Sequence, residues 1–109
     1  MPKYLDGPLD LVFRALSDPL RRQMVQRLRE TPATVGELAA LGPVTLPTAM
    51  QHLEALAKAG LVSSSKAGRV RSYALVPGSL DAGIAWMQSA RTPVEQRLDR
   101  LTRHLKEND

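Results

Sequence analysis

Residues 34–60 carry the clearest structural signals of the chain and read TVGELAALGPVTLPTAMQHLEALAKAG. Thr34 and Glu37 have the spacing of a capping box, which predicts the start of a short helix. Glycine and proline at positions 42–43 then favour a tight turn. Thr45 is a good N-cap residue, so a second helix is expected to begin there. The segment therefore predicts two helices joined by a tight turn.

The second of these helices is predicted to be amphipathic. Ala49, Leu53 and Leu56 recur at helical spacing and are expected to face the core. The opposite, outward-facing side then carries Leu46, Pro47, Met50 and Gln51. Gly60 suits the position just after a helix end, because glycine adopts a positive φ without a steric penalty. Thr45 and Gly60 thus bound a helix with one apolar face.

Two further helices are predicted before this segment. An apolar stripe with the spacing i, i+3, i+4, i+7 is formed by Leu9, Val12, Phe13 and Leu16. Ser17-Asp18-Pro19 ends that helix, and Asp18 is expected to cap a second one over about 19–30. The N-terminus is rich in proline and glycine, so we expect a flexible segment (1–8) ahead of a single domain (9–109).

A β-hairpin and C-terminal helices are predicted after the amphipathic helix. Residues 61–65 and 69–76 are extended-looking runs joined around Ala67-Gly68, which is typical of a hairpin. Ser79 is expected to cap the next helix. Residues 92–95 (TPVE) form a second capping box with proline at the first helical position, so a new helix or a kink is expected there.

The last predicted helix carries a coiled-coil-like seam of Val94, Leu98, Leu101 and Leu105. A chain of this length has few apolar partners left to cover the seam within one molecule. We therefore favour burial of the seam against a second copy of the chain. For the stripe that begins at Leu9, packing inside the chain and packing against a partner are both open.

Composition excludes several classes of protein. The chain has 109 residues, 43% of them hydrophobic, and a formal net charge of +4, which fits one small globular domain. It has no cysteine, so disulfide scaffolds, thiolate metal sites and thiol catalysis are excluded. Membrane-span and signal-peptide patterns are lacking, so we expect a cytoplasmic protein with no membrane partner. Catalytic and cofactor motifs are lacking too, so we expect no enzyme and no cofactor.

Positive charge is concentrated after the amphipathic helix. No acidic residue lies between Glu54 and Asp81. That stretch contains the basic residues Lys58, Lys66, Arg69 and Arg71. A local strip of positive charge is expected where a phosphate backbone docks. An ordinary solvated basic hairpin is the alternative, and charge alone does not separate the two.

A short helix, a glycine-containing turn, a second helix and a hairpin form the layout of a winged helix-turn-helix. Several segments, in order and spacing, resemble ArsR-type winged-helix repressors: VFRALSDPLRR (12–22), TVGELA (34–39), PTAMQHL (47–53), LAKAGLV (56–62) and the run from Gly68 to Leu75. The resemblance covers roughly residues 9–105. The expected fold is mainly α with a small β-hairpin wing, in the order α-α-α-α-β-β-α, and dimeric.

The resemblance implies a homodimeric repressor that binds a palindromic operator in double-stranded DNA. In this family the first and last helices build the dimer interface. In this chain the apolar residues of those two helices, and hence the expected interface, are Leu9, Val12, Phe13, Leu16, Val94, Leu98, Leu101 and Leu105. One α-helix fits into the major groove of DNA. The predicted DNA-binding residues are Thr45, Leu46, Pro47, Thr48, Met50, Gln51, His52, Lys66, Arg69 and Arg71.

The helical DNA-binding residues have different expected roles. Thr45 and Thr48, near a helix N-terminus, are expected to place the phosphate backbone. Gln51 is expected to read an adenine edge, and Leu46 and Met50 to contact thymine methyl groups. For Met50, packing against the wing or the short helix is the alternative.

The remaining predicted DNA-binding residues carry charge or a titratable ring. His52 is expected to lie at the DNA backbone or the groove edge rather than to bind a metal, with a half-buried histidine as the alternative. Lys66, Arg69 and Arg71 are expected to add positive charge on the wing and to reach toward the minor groove.

The chain departs from the metal-sensing members of the family. Founding members sense metals through a cysteine pair on the short helix before the turn, where this chain reads ELAAL (37–41). Other members bind zinc at the dimer interface through Asp and His. Here His104 and Glu107, with Asp81 far upstream, form only a weak candidate set, and a solvated helix end is favoured. No metal is expected.

Two alternatives remain open at the level of function. A small apolar effector could bind in the dimer interface, where Trp86, Met87 and Met24 are candidate lining residues, although such residues more often form core. A winged-helix module that contacts proteins instead of DNA is the other alternative. The basic wing and Gln51-His52 favour DNA.

Overall fold

The computed structural model describes residues 7–107. Its elements in chain order are α1 (Pro8–Ala15), α2 (Pro19–Leu28), β1 (Ala33–Thr34), α3 (Val35–Ala39), α4 (Leu46–Lys58), β2 (Val62–Ala67), β3 (Val70–Leu75), α5 (Asp81–Ser89) and α6 (Pro93–Glu107). This confirms a mainly helical fold with a small β-hairpin wing. Of the segment expected to be flexible, residues 1–6 lie outside the described residues, and Gly7 is the N-cap of α1.

Side-chain caps start the helices of the helix-turn-helix where the sequence predicts them. The Asp18 carboxylate accepts the backbone N–H of Arg21 at 3.1 Å. Thr34 and Glu37 form both halves of the capping box at the start of α3. Thr45 caps α4 by accepting a backbone N–H in its first turn. Each cap satisfies a donor that the helix itself leaves without a partner.

The C-terminal helices differ from the prediction in one detail. Ser79 does not cap α5; its hydroxyl lies 3.5 Å from the carbonyl of Leu61, and the N-cap is Leu80. The turn after β3 returns to the end of α4, which holds the Ser79 side chain at the Leu61 carbonyl and away from the first N–H groups of α5. Of the two alternatives at Pro93, a new helix or a kink, the structure has a new helix, because α5 ends at Ser89 and α6 starts at Pro93.

The sheet contains one strand that the sequence does not predict. Its three antiparallel strands have the order β1-β3-β2, with Ala33 opposite Tyr73. Thr34 has φ −80° and ψ 164° as the N-cap of α3, which is an extended conformation that can also pair with a strand. Gly68, with φ +63°, lies in the two-residue turn that joins β2 and β3.

A single core packs α4 against α2, α3 and the base of the sheet. Its largest fully buried side chains are Met24, Leu38, Leu53, Leu56 and Leu61. Within residues 7–107 no helix is both long and apolar enough to cross a membrane. The core leaves α4 with one buried side and one exposed side, next to the wing.

Candidate nucleic-acid interface

The exposed side of α4 is the side that the sequence predicts. Ala49, Leu53 and Leu56 are fully buried. The exposed positions opposite them are Leu46, Pro47, Met50 and Gln51. The side chains of Leu46 and Met50 are 54% and 48% exposed. These two large apolar side chains are therefore available for contact with a binding partner.

The N-terminus of α4 presents two threonine hydroxyls. Thr45 Oγ1 accepts the backbone N–H of Thr48 at 3.4 Å and donates to Thr48 Oγ1 at 3.1 Å. Both side chains therefore lie together over the first turn, where N–H groups point along the helix axis. This is the end of a helix that favours negative charge.

A groove of about 400 Å³ lies between α4, α3 and the wing formed by β2 and β3. Its large apolar side chains are Val35, Leu46, Met50 and Val70, and its cationic side chains are Lys66, Arg69 and Arg71. The groove thus brings predicted DNA-binding residues from the helix and the wing to one surface. Met50 lines this groove with about half of its surface exposed, so its contact with DNA and its packing against the wing or the short helix both stay predictions.

Two cations lie opposite each other on the wing. Lys66 pairs in register with Arg71 across β2 and β3. The Arg71 guanidinium donates to Ser64 Oγ at 2.9 Å, so its position is fixed by a diagonal cross-strand contact. Directly opposed like charges repel, and an anion placed between them removes that repulsion. Ser64 carries no sequence signal, since only the strand register places it beside Arg71.

His52 links α4 to α2. Its Nδ1 accepts a hydrogen bond from Arg21 Nε at 3.0 Å and lies 4.0 Å from Asp18 Oδ1, and its side chain is 17% exposed. This position agrees with the half-buried alternative for this residue. Because Nδ1 accepts, the neutral ring carries its hydrogen on Nε2. A DNA contact through that second nitrogen stays a prediction.

Two carboxylates near the helix-turn-helix are held in the ionised form. The backbone N–H of Arg21 is the main cause that lowers the pKa of Asp18. The backbone N–H of Thr34 lowers the pKa of Glu37, followed by the Thr34 hydroxyl and then Arg27. Hydrogen bonds to a carboxylate stabilise its charged form. Both caps are therefore strongest above the acid range.

The residues predicted for a dimer interface fall into two groups. Those of α6 are all more than half exposed: Val94, Leu98, Leu101 and Leu105. In α1, Val12 is 6% exposed and belongs to the core of its own chain, as the alternative for that stripe holds. Leu9 and Leu16 are half-buried. The Phe13 ring meets the Trp86 ring edge-on at a centroid distance of 5.6 Å.

The candidate metal set does not assemble in the described residues, and the candidate effector residues are divided between core and surface. Among residues 7–107, no group of three or more His, Asp or Glu side chains could hold a metal ion, so Asp81, His104 and Glu107 do not form one. Met24 is fully buried in the core, whereas Trp86 and Met87 are about half exposed on α5. Met24 therefore belongs to the core of its own chain, and an effector pocket that includes Trp86 and Met87 stays a prediction.

Comparison with known proteins gives relatives that regulate transcription. A helix-turn-helix domain family matches residues 16–64. The HTH-type transcriptional regulator Rv2034 of Mycobacterium tuberculosis is 45% identical over 73 residues, which are 67% of this chain and 68% of that protein. The transcriptional repressor SdpR of Bacillus subtilis is 33% identical over 76 residues, covering 70% of this chain and 84% of the repressor.

A solved structure extends the similarity to most of the fold. The crystal structure of the ArsR family transcriptional regulator RHA00566 is 36% identical to this chain and superposes with a TM-score of 0.73. The superposition covers 86% of this chain and 98% of the other. The similarity therefore reaches beyond the helix-turn-helix to most of the described elements.

Proposed function

Because the chain belongs to the ArsR family of winged helix-turn-helix transcriptional regulators, we propose that it is a homodimeric cytoplasmic repressor of a palindromic operator. One observation carries this proposal. Exposed apolar side chains of α4 share a groove with the cations of the wing. Apolar contact with thymine methyl groups and positive charge beside phosphates are what a DNA groove requires of a protein.

The proposal divides the interface into base-reading and backbone-placing residues. Gln51 reads an adenine edge, and Leu46 and Met50 contact thymine methyl groups in the major groove. Thr45 and Thr48 place a phosphate at the N-terminus of α4. His52, fixed from behind by α2, supports the helix at the groove edge.

The wing supplies the charge of the proposed interface. Lys66, Arg69 and Arg71 contact the flanking phosphates or the minor groove. Phosphate contacts carry no base information, because every base pair presents the same backbone charges, and the minor groove distinguishes little more than A·T from G·C. The wing therefore sets affinity and its salt dependence, whereas α4 sets sequence preference.

The exposed seam of α6 supports the proposed dimer. A second copy covers Val94, Leu98, Leu101 and Leu105 through a two-fold axis that coincides with the axis of the operator. The two α4 helices then lie about 34–36 Å apart, one turn of DNA, which places the half-sites. Sequences selected from a random DNA pool are expected to be palindromic with that spacing.

Wing substitutions test the proposed interface. Arg69→Ala and Arg71→Ala are each expected to weaken binding to all DNA sequences alike and to reduce the slope of log affinity against log salt by about 1. Gln51→Ala is expected to change which sequence is preferred. Fluorescence anisotropy on the selected operator and on scrambled DNA, at several salt concentrations, measures both effects.

Arg103→Ala is the matched control, since it removes the same charge from α6 rather than from the wing. It is expected to leave affinity and salt slope close to those of the unaltered protein. The placement of the wing on DNA is contradicted if Arg69→Ala and Arg71→Ala both behave like Arg103→Ala.

A further inference from the structure

The helix that carries the exposed seam is poorly packed on its own chain. All residues of α6 are described, and each is at least partly exposed. The radius of gyration is 17.6 Å, against about 13 Å for a compact chain of ~100 residues. The direction of α6 is therefore set mainly at its joint with α5.

The helix before the joint, α5, packs firmly on the part of the chain formed by α1–α4 and the wing. We call this part the DNA-binding body. In α5, Gly83 is buried and lies against Val12 and Phe13 of α1. Trp86 packs edge-on against Phe13. The last turn of α5 extends to Arg91, whose backbone N–H donates to the carbonyl of Gln88 at 3.2 Å.

Arg91 connects the two helices through its side chain. Its Nε lies 3.4 Å from Glu95 Oε2, its Nη2 3.4 Å from the carbonyl of Glu95, and its Nη1 donates to Asp99 Oδ2. In return, Gln96 Nε2 donates to the carbonyl of Arg91 at 3.4 Å. One guanidinium thus joins the end of α5 to the first two turns of α6. We call these contacts the Arg91 clamp.

We infer that the Arg91 clamp fixes the angle between α6 and the DNA-binding body, and so sets the half-site spacing that the dimer accepts. The inference rests on the proposed function, because the spacing matters only if α6 joins two copies on DNA. Arg91 is then a positioning residue that acts on DNA through the placement of α4.

The length of α6 makes this angle important. A helix of 15 residues is about 22 Å long. A rotation of about 10° at the joint therefore displaces its far end by about 4 Å, which exceeds the rise of ~3.4 Å per base pair. A small change in the joint is enough to move a half-site contact by one base pair.

The energetics favour a role in positioning over a role in folding. The side chains of Arg91, Glu95 and Asp99 are 36%, 51% and 47% exposed. Exposed ion pairs contribute little to global stability. They still select among orientations of a helix whose large apolar side chains are all more than half exposed. Loss of the clamp is thus expected to broaden the range of orientations while the fold remains.

The test compares Arg91→Ala with unaltered protein on operators that differ only in half-site spacing, in steps of one base pair. The unaltered dimer is expected to prefer one spacing. Arg91→Ala is expected to reduce that preference by about three- to fivefold, the effect of losing an exposed ion-pair network, with unchanged affinity for an isolated half-site. Asp99→Asn is expected to reduce it in the same direction, and it carries the test if Arg91→Ala fails to fold.

Arg103→Ala is the control, because Arg103 lines the same crevice as Arg91 and the substitution removes the same charge while leaving the clamp intact. The inference is overturned if Arg91→Ala and Asp99→Asn keep the original spacing preference, or if Arg103→Ala loses it equally. A different result contradicts the proposed function itself: the unaltered protein is a monomer or selects no DNA.

Discussion

Asp18 shows how one side chain supports the DNA-binding helices. It caps α2 through the N–H of Arg21, and Arg21 in turn holds His52 of α4. Asp18→Ala is expected to lower the free energy of unfolding by about 1 kcal/mol at neutral pH, because an N-cap acceptor is lost. Urea unfolding measures the loss.

The cost of Asp18→Ala is expected to depend on pH. The N–H of Arg21 keeps the pKa of Asp18 below its usual value, so the charge stabilises the fold above the unfolded-state pKa. This stabilisation is lost as the pH falls below about 4, through the folded-state pKa. Asp18→Asn is the control, since it keeps an acceptor without the charge. An equal cost of Asp18→Ala at pH 7 and in acid contradicts the assignment.

For single residues, the sequence predicts those hydrogen bonds whose partners are close together in the chain. The caps at Thr34 and Thr45 reach backbone groups only three residues away, so their spacing is visible in the chain. Ser79 instead meets a carbonyl 18 residues away, and Arg21 meets His52 across 31 residues. Only the folded chain brings those partners together.

At the level of secondary-structure elements, the C-terminus of α4 depends on Gly60. Gly60 has φ +79°, its N–H donates to Ala57, and the N–H of Leu61 donates to Leu56, which is a Schellman motif. A Cβ at position 60 would have no atom within 4 Å. Gly60→Ala is therefore expected to cost about 1 kcal/mol from backbone strain alone, measured by urea unfolding.

Gly36→Ala provides the comparison for Gly60→Ala. Gly36 lies in α3 without a positive φ, and a Cβ there would meet Thr34 Oγ1 at an ordinary 3.9 Å. Alanine is expected to be neutral or slightly stabilising at this site, because it restricts the unfolded chain. Equal destabilisation by both substitutions would contradict the role of the positive φ.

Periodicity predicts long elements better than short ones. The buried and exposed sides of α4 follow from the spacing of Ala49, Leu53 and Leu56, because a helix of 13 residues repeats its pattern several times. The strand β1 has two residues and repeats nothing. It pairs with β3, which lies about forty residues later in the chain, so no pattern in the local sequence predicts the pairing.

For the whole molecule, the sequence predicts which surface is apolar but not where that surface points. Val94, Leu98, Leu101 and Leu105 form a visible seam, and the structure leaves them exposed on a projecting helix. The direction of α6 depends on Arg91, whose guanidinium bridges two helices through exposed contacts. A solvated arginine in a sequence carries no sign of such a role.

Lysine substitutions in the seam test how the molecule assembles. The double change Leu98→Lys with Leu101→Lys is expected to leave helix content unchanged, because both side chains are exposed in the single chain, but to give a monomer in sedimentation experiments. Affinity for a full palindrome is then expected to fall by about a hundredfold or more, as the second half-site no longer binds in concert. Affinity for one half-site is expected to stay the same.

Leu98→Met with Leu101→Met is the matched control, since it keeps the apolar volume of the seam and is expected to remain dimeric. If the lysine variant still sediments as a dimer, α6 does not form the interface. If it is monomeric yet binds the palindrome as tightly as the unaltered protein, the two half-sites are bound independently. DNA recognition would then depend on α4 and the wing of each copy alone.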